Sequence, residues 1–258
     1  MAAFGGTLHV FEYNALVYRR IWRGSMAVSF FTPLFFLAAM GLGLGGLVNR
    51  GSGGVDGVPY LSFLAPGLIA AATMQTAAVE AMYPILAKIM WDRTYDAALA
   101  TPITVAGVLR GEVLWMTARM LIAATMFWIV MFLFGVGHSW ESLLAIPAAV
   151  LTGLAFATPI TAFTATRRGD NGFAALNRFV IIPLYLLGGA FFPIDKLPLA
   201  LQALAWATPL AHGIALCRGF VLGNLSLTDG ILHAAVPLAY FIGGLVIARA
   251  LLTKRLSK

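Results

Sequence analysis

Charge is what this chain lacks most. Of its 258 residues only 10% are Asp, Glu, Lys or Arg, and 60% are hydrophobic. A soluble domain carries about 25% charged residues, and no tract is long and polar enough to form one. Residues 1–258 therefore read as a single membrane domain. Cysteine is nearly absent as well. Cys217 stands alone, so no internal disulfide can form and the redox compartment stays open. The phosphate-cradling G-x-x-x-x-G-K-[ST] is missing, as are H-E-x-x-H and G-x-S-x-G. The four histidines, His9, His138, His212 and His233, fall in different predicted segments, so metal-ligand spacing is missing too. Met1 to Thr7 holds no positive charge, unlike the start of a cleaved signal peptide. These absences leave no catalytic constellation, no metal site and no cofactor site in the chain. Transport or a pore is then the default reading.

What is present is apolar length. Six runs are expected to span: Met26–Val48, Leu61–Tyr83, Leu114–Phe134, Leu143–Thr164, Ala174–Phe192 and Ile231–Leu252. Their lengths of 19 to 23 residues match the roughly 20 that a spanning helix needs. The net charge is +7. In a membrane chain that excess marks basic cytoplasmic loops rather than a nucleic-acid partner. With both termini cytoplasmic, thirteen basic residues lie inside and three (Arg50, Lys196, Arg218) outside, with Arg119 inside a span. The positive-inside rule favours that orientation.

Three segments do not fit a plain span. The first is 193–223. Pro198 and Pro209 divide it into Leu199 to Thr208 and Leu210 to Leu222, pieces of 10 and 13 residues, too short to cross. A re-entrant element on the outer side is expected, with Phe192, Pro193, Asp195, Lys196, His212 and Arg218 as outer-gate candidates. The second is 7–23. Leu8, Phe11, Ala15, Tyr18 and Trp22 recur at helical spacing, with His9, Glu12, Arg19 and Arg23 largely on another face. That pattern predicts a helix lying in the membrane plane. The third is 84–104, where Lys88, Trp91, Asp92, Arg93, Tyr95 and Asp96 predict a short amphipathic cytoplasmic helix. Thr101-Pro102 ends it, since the residue before proline avoids helical dihedrals.

Inside or at the edge of the spans lie Thr73, Gln75, Glu80, Glu112 and Arg119. Charges at membrane depth usually pair. Glu112 lies seven residues before Arg119 on the same helical face, and Glu80 is a closer partner near the inner end of the second span. A structural ion pair is the expectation for Arg119. Thr73 and Gln75 either bond across helices or line a cavity.

Four pieces in register carry a resemblance. They are Tyr60 to Leu68 (YLSFLAPGL), Thr94 to Pro102 (TYDAALATP), Gly111 to Trp115 (GEVLW), and Phe191 to Pro198 (FFPIDKLP) with its continuation from Trp206 to Arg218. The chain resembles the permease subunit of type-2 ABC exporters, most closely the nodulation lipo-oligosaccharide and daunorubicin-type permeases. The resemblance implies an all-α fold. It has six transmembrane helices, an N-terminal interfacial helix, a cytoplasmic coupling helix and an outer re-entrant hairpin before the last span. It implies a bacterial inner-membrane location, a second permease copy or paralogue, and two separate ATP-binding subunits that hold the ATP and Mg. It implies ATPase contact through Trp91, Asp92, Arg93, Thr94, Tyr95 and Asp96, and an amphiphilic substrate (a glycolipid, lipid-linked saccharide or hydrophobic drug). A self-contained secondary transporter or channel is the alternative. That would call for buried coupling carboxylates and an internal repeat, neither of which the sequence offers. A membrane enzyme acting on lipids is a third reading, disfavoured by the missing constellations.

Overall fold

The computed structural model describes residues 2–256, so Lys258, counted above among the cytoplasmic cations, lies outside the described residues. In chain order, α1 (Ala2–Tyr18) turns into α2 (Trp22–Leu37), which continues through a π-helical stretch, Ala38–Leu44, into α3 (Gly45–Ser52). Then come α4 (Tyr60–Met90), the six-residue α5 (Thr94–Leu99) and α6 (Val105–Leu133). A 3-10 turn, Trp140–Leu144, opens α7 (Ala145–Ala165). Next, α8 (Asn171–Leu176) and α9 (Ile182–Leu187) are joined by a π-helical turn, and α10 (Leu199–Trp206), α11 (Pro209–Leu222) and α12 (Leu227–Leu256) complete the chain.

The protein is an all-α integral membrane protein. Among the described residues, five helices are long and apolar enough to cross a membrane: Trp22–Gly51, α4, α6, Trp140–Ala165 and α12. Helices α10 and α11 form a sixth apolar unit, bent by 80°. That geometry belongs to a broken span or a re-entrant loop. Pro209 sets the break, because it opens α11 where a helix can begin but not continue, and Pro198 precedes the start of α10.

Helix α4 is the axis of the bundle. In its most apolar window 72% of residues are buried, against 11% for Trp22–Gly51 and 17% for α12, so those two face outward. The densest packing is α7 against α4 on one side and α12 on the other. Threonine hydroxyls stitch the layers. Thr73 donates to the Ala149 carbonyl at 2.8 Å, Thr164 to Ala81 at 2.8 Å and Thr158 to Phe241 at 3.0 Å. In a hydrocarbon environment such bonds add specificity that apolar packing alone does not.

Three boundaries differ from the sequence reading. The expected fifth span, Ala174–Phe192, is instead a shorter apolar helix, Asn171–Leu187, which is not among the five long enough to cross. It stops because Gly188 and Gly189 pass close under α11. A Cβ on Gly188 would stand 2.7 Å from Leu210 Cδ2, and Gly189 has φ +91, a conformation natural only to glycine. Phe192 therefore lies beyond the helix. The N-terminal helix stops at Tyr18, and Trp22 begins the next one. Its inward face is Gly6, Val10 and Asn14, spaced by four, whereas Leu8 of the expected stripe is 51% exposed. Finally, α4 does not end at Pro84. Ile85 and Ile89 pack into an inner core with Tyr95, Leu109, Ala248 and Leu252, and that burial carries the helix to Met90. The separate helix expected within 84–104 is only α5.

Candidate functional site

At the α5 end, two ion pairs bridge α4 and α6. Lys88 Nζ donates to both Glu112 oxygens, at 2.7 and 2.8 Å. Both side chains are almost wholly enclosed, at 10% and 3% exposure. Asn14 of α1 completes the cluster. Its Oδ1 accepts from Lys88 at 2.6 Å and its Nδ2 donates to Glu112 at 3.2 Å. A buried charge is tolerated when paired and hydrogen-bonded, and this triad meets both conditions. It fastens three helices together. Tyr95 of α5 enters the same core at 2% exposure. Burial, and then the neighbouring Glu112 carboxylate, push its phenol well above the ordinary value of 10.0. The hydroxyl stays neutral and makes no hydrogen bond of good geometry.

About two turns further along, Arg119 Nε donates to Glu80 Oε1 at 2.9 Å. The guanidinium lies over the Tyr18 ring, 4.5 Å from its centroid. This pair edges a cleft of about 560 Å³ between α2, α4 and α6, lined also by Ser25, Ser29, Gln75 and Thr76. Gln75 sits midway along α4 and is exposed. The two polar residues of the second span thus divide. Thr73 is buried in an interhelical bond, and Gln75 faces the cleft.

At the other end, α11 is anchored through Arg218. Its Nη2 donates to the Gly189 carbonyl at 2.8 Å and its Nε to the Phe63 carbonyl at 3.2 Å. The guanidinium stacks 3.7 Å from the Phe63 ring centroid. His212 of α11 meets His233 of α12, with their Nδ1 atoms 2.9 Å apart. His212 Nε2 lies 2.9 Å from the Trp206 carbonyl. A carbonyl only accepts, so His212 carries its proton on Nε2, and neutral His212 accepts from His233 Nδ1–H. Trp206 stacks on His233, 5.7 Å between centroids. Asp195 and Lys196 pair at 3.1 Å but are 65% and 71% exposed, so that contact contributes little. Pro193 and Asp195 join Arg218 and Asp56 around a cleft of about 240 Å³, and Phe192 is half-buried nearby in sequence.

Comparison with known proteins places this arrangement. Residues 7–222 match the ABC-2 type transporter family. The chain belongs to that family. It is 35% identical over 251 residues to Nodulation protein J of Rhizobium leguminosarum bv. viciae, covering 97% of this chain and 95% of that protein. The Rhizobium meliloti (strain 1021) protein of the same name is 34% identical over 248 residues, covering 96% and 92%. The inner membrane transport permease YadH of Escherichia coli (strain K12) is 25% identical over 236 residues, covering 89% and 84%. This ABC-2 chain is therefore the membrane subunit of an ABC exporter, a permease without an ATPase site of its own. The self-contained transporter and the lipid enzyme fall away.

Within this ABC-2 permease, the predicted coupling residues split by exposure. Trp91, Asp92, Arg93 and Asp96 are exposed, Thr94 is half-buried, and Tyr95 points inward. Tyr95 is thereby corrected from a surface contact to a core anchor. The partner of Glu112 is Lys88 rather than Arg119, and Arg119 pairs with Glu80. Sequence reasoning missed Lys88, Asn14 and His233 as site residues. One signal for the first was available. Glu80 and Lys88 lie eight residues apart on one helix, and Glu112 and Arg119 seven apart on the next. Two antiparallel helices each reading acid-then-base align both pairs.

Proposed function

We propose that this permease moves an amphiphile out of the cytoplasm or the inner leaflet of a bacterial inner membrane, with both termini cytoplasmic. The working unit holds a second permease, identical or paralogous, and two ATP-binding subunits that bind the ATP and Mg. The inner-membrane location draws on the printed name of the Escherichia coli relative, and the orientation on the distribution of basic residues.

One observation carries the reading of the pathway. Gln75, Thr76, Glu80, Arg119, Ser25 and Ser29 gather on an open cleft midway into the bundle. Polar groups facing hydrocarbon are costly, so this face is covered by water, a polar headgroup or the second subunit. An amphiphile entering from the inner leaflet sets its headgroup against these residues and its chains against the outward faces of α2 and α3. ATP-driven closure of the partners reaches α4 and α6 through α5, because Tyr95 seats that short helix in a core shared with Ile89 and Leu109, and the Lys88–Glu112–Asn14 triad ties α4 to α6. Arg218 and the His212–His233 contact hold the bent pair α10–α11 shut until the bundle moves.

The test uses the complex reconstituted in liposomes, with an NBD-labelled phospholipid and a hydrophobic cationic dye as probes. Gln75→Leu is expected to leave thermal stability and basal ATP hydrolysis unchanged and to cut ATP-dependent movement of the transported probe several-fold. Unchanged movement takes the cleft out of the pathway.

A further inference from the structure

A second cleft, of about 590 Å³, opens between α5 and the last turn of α12. Arg93, Arg255 and one carboxylate, Asp96, line it, with Arg255 Nη2 donating to Met90 Sδ at 3.6 Å. Met90, Leu99 and Leu256 give it an apolar floor. The helices that frame it are long. At 1.5 Å per residue, the 31 residues of α4 and 30 of α12 reach roughly 45 Å, against about 30 Å of hydrocarbon. Their ends project from the apolar layer, so the cleft opens to water rather than to lipid chains. Arg93 is held at φ 48 and ψ 31. That left-handed conformation is uncommon for a residue with a side chain, and such residues gather at functional sites.

We propose that this cleft is a socket for the ATP-binding subunit, and that the end of the last span forms half of it. The proposal rests on the reading of α5 as the coupling element and extends the contact to α12. Two guanidiniums against one carboxylate leave a net positive rim, and the floor needs an apolar side chain to cover it. The occupant is therefore a short segment of the ATP-binding subunit that carries a carboxylate beside a large apolar residue. Arg93 and Arg255 grip the carboxylate from opposite walls, a task suited to the planar guanidinium fork. The consequence is mechanical. Beneath the socket, Ile89, Tyr95 and Leu252 share one core, so a segment seated there pushes the last span as directly as it pushes α4.

The experiment co-expresses the chain with its cognate ATP-binding subunit and measures their association in detergent. Three variants are compared: Arg93→Glu, Arg255→Glu, and Arg249→Glu as an exposed α12 control outside the cleft. Size-exclusion profile and melting temperature of the isolated permease check folding. We expect Arg93→Glu and Arg255→Glu each to weaken association by about tenfold or more, the equivalent of about 1.4 kcal/mol, and Arg249→Glu to leave it unchanged. A scan of carboxylate-to-Arg replacements in the ATP-binding subunit should contain one that restores binding to Arg255→Glu but not to the native chain. If Arg93→Glu weakens association and Arg255→Glu does not, the socket is wrong while the coupling element stands. If neither does, both readings fail. If Arg255→Glu keeps the subunit but loses binding to phosphatidylglycerol vesicles, the cleft holds a lipid headgroup and the proposal is overturned. Absence of any restoring replacement overturns the carboxylate.

Discussion

The two ends of this bundle are held together by different chemistry. At the α5 end, charge is set against charge: Lys88 on Glu112 and Arg119 on Glu80. At the α11 end, a guanidinium and an imidazole are set against main-chain carbonyls: Arg218 on Phe63 and Gly189, His212 on Trp206. Tyr240 adds a bond of the same kind to the Ala207 carbonyl at 2.9 Å. The first arrangement is stiff, because removing one partner strands a charge in a dry core. The second is releasable. A carbonyl left behind is neutral, so losing its donor costs less than stranding a charge. A lever needs the first property and a gate the second. The contrast supports the proposed roles of lever at the α5 end and gate at the α11 end.

The largest effect is expected where the contrast is sharpest. Glu112→Ala leaves Lys88 at 10% exposure with only Asn14 to solvate its charge. Breaking one partner of a buried pair costs about 3–5 kcal/mol, and thermal unfolding in detergent should show a loss of that order. Replacing both partners with apolar residues of similar volume, Lys88→Met with Glu112→Leu, should recover most of it, because the stranded charge is gone. If the double variant is as unstable as the single one, the triad contributes more than charge balance and the stiff-lever account weakens.

At the other end, Arg218→Met removes the donor to two carbonyls. Hydrogen bonds to a charged group contribute about 1.5–3 kcal/mol each, but Arg218→Met also removes a half-buried cation held only by neutral carbonyls, and the relief of its desolvation offsets much of that loss. The loss should fall below that of Glu112→Ala, and association with the ATP-binding subunit should be unaffected. A probe that leaks through the reconstituted complex without ATP is the signature of a loosened gate. Loss of the ATP-binding subunit instead would mean that the two ends are not separable.

How far the sequence reveals this contrast differs between the ends. The class, the long apolar helices and the proline-divided segment follow from hydropathy and from where proline can stand. The Glu80–Arg119 pair follows from charge at depth. The triad was harder to see, because Lys88 lies near the end of its helix and reads like any snorkelling cation. Asn14 lies in a segment whose Leu8-to-Trp22 apolar stripe is offset from the buried face. The four-residue spacing of Gly6, Val10 and Asn14 was the better guide. The contact of His212 with His233 depends on the 80° bend between α10 and α11. Pattern analysis finds the break but does not supply its angle, so two residues 21 positions apart carried no signal.

The smallest expected effect concerns that histidine contact. His212 and His233 meet through Nδ1 atoms 2.9 Å apart, beside the Trp206 ring and carbonyl. His233→Phe keeps the stack on Trp206 but removes the partner of His212 Nδ1. A typical hydrogen bond contributes about 0.5–1.5 kcal/mol, so thermal unfolding in detergent should show a loss below that of Arg218→Met, with a slight leak of probe in the absence of ATP. No loss and no leak would show that Arg218 alone holds the gate end.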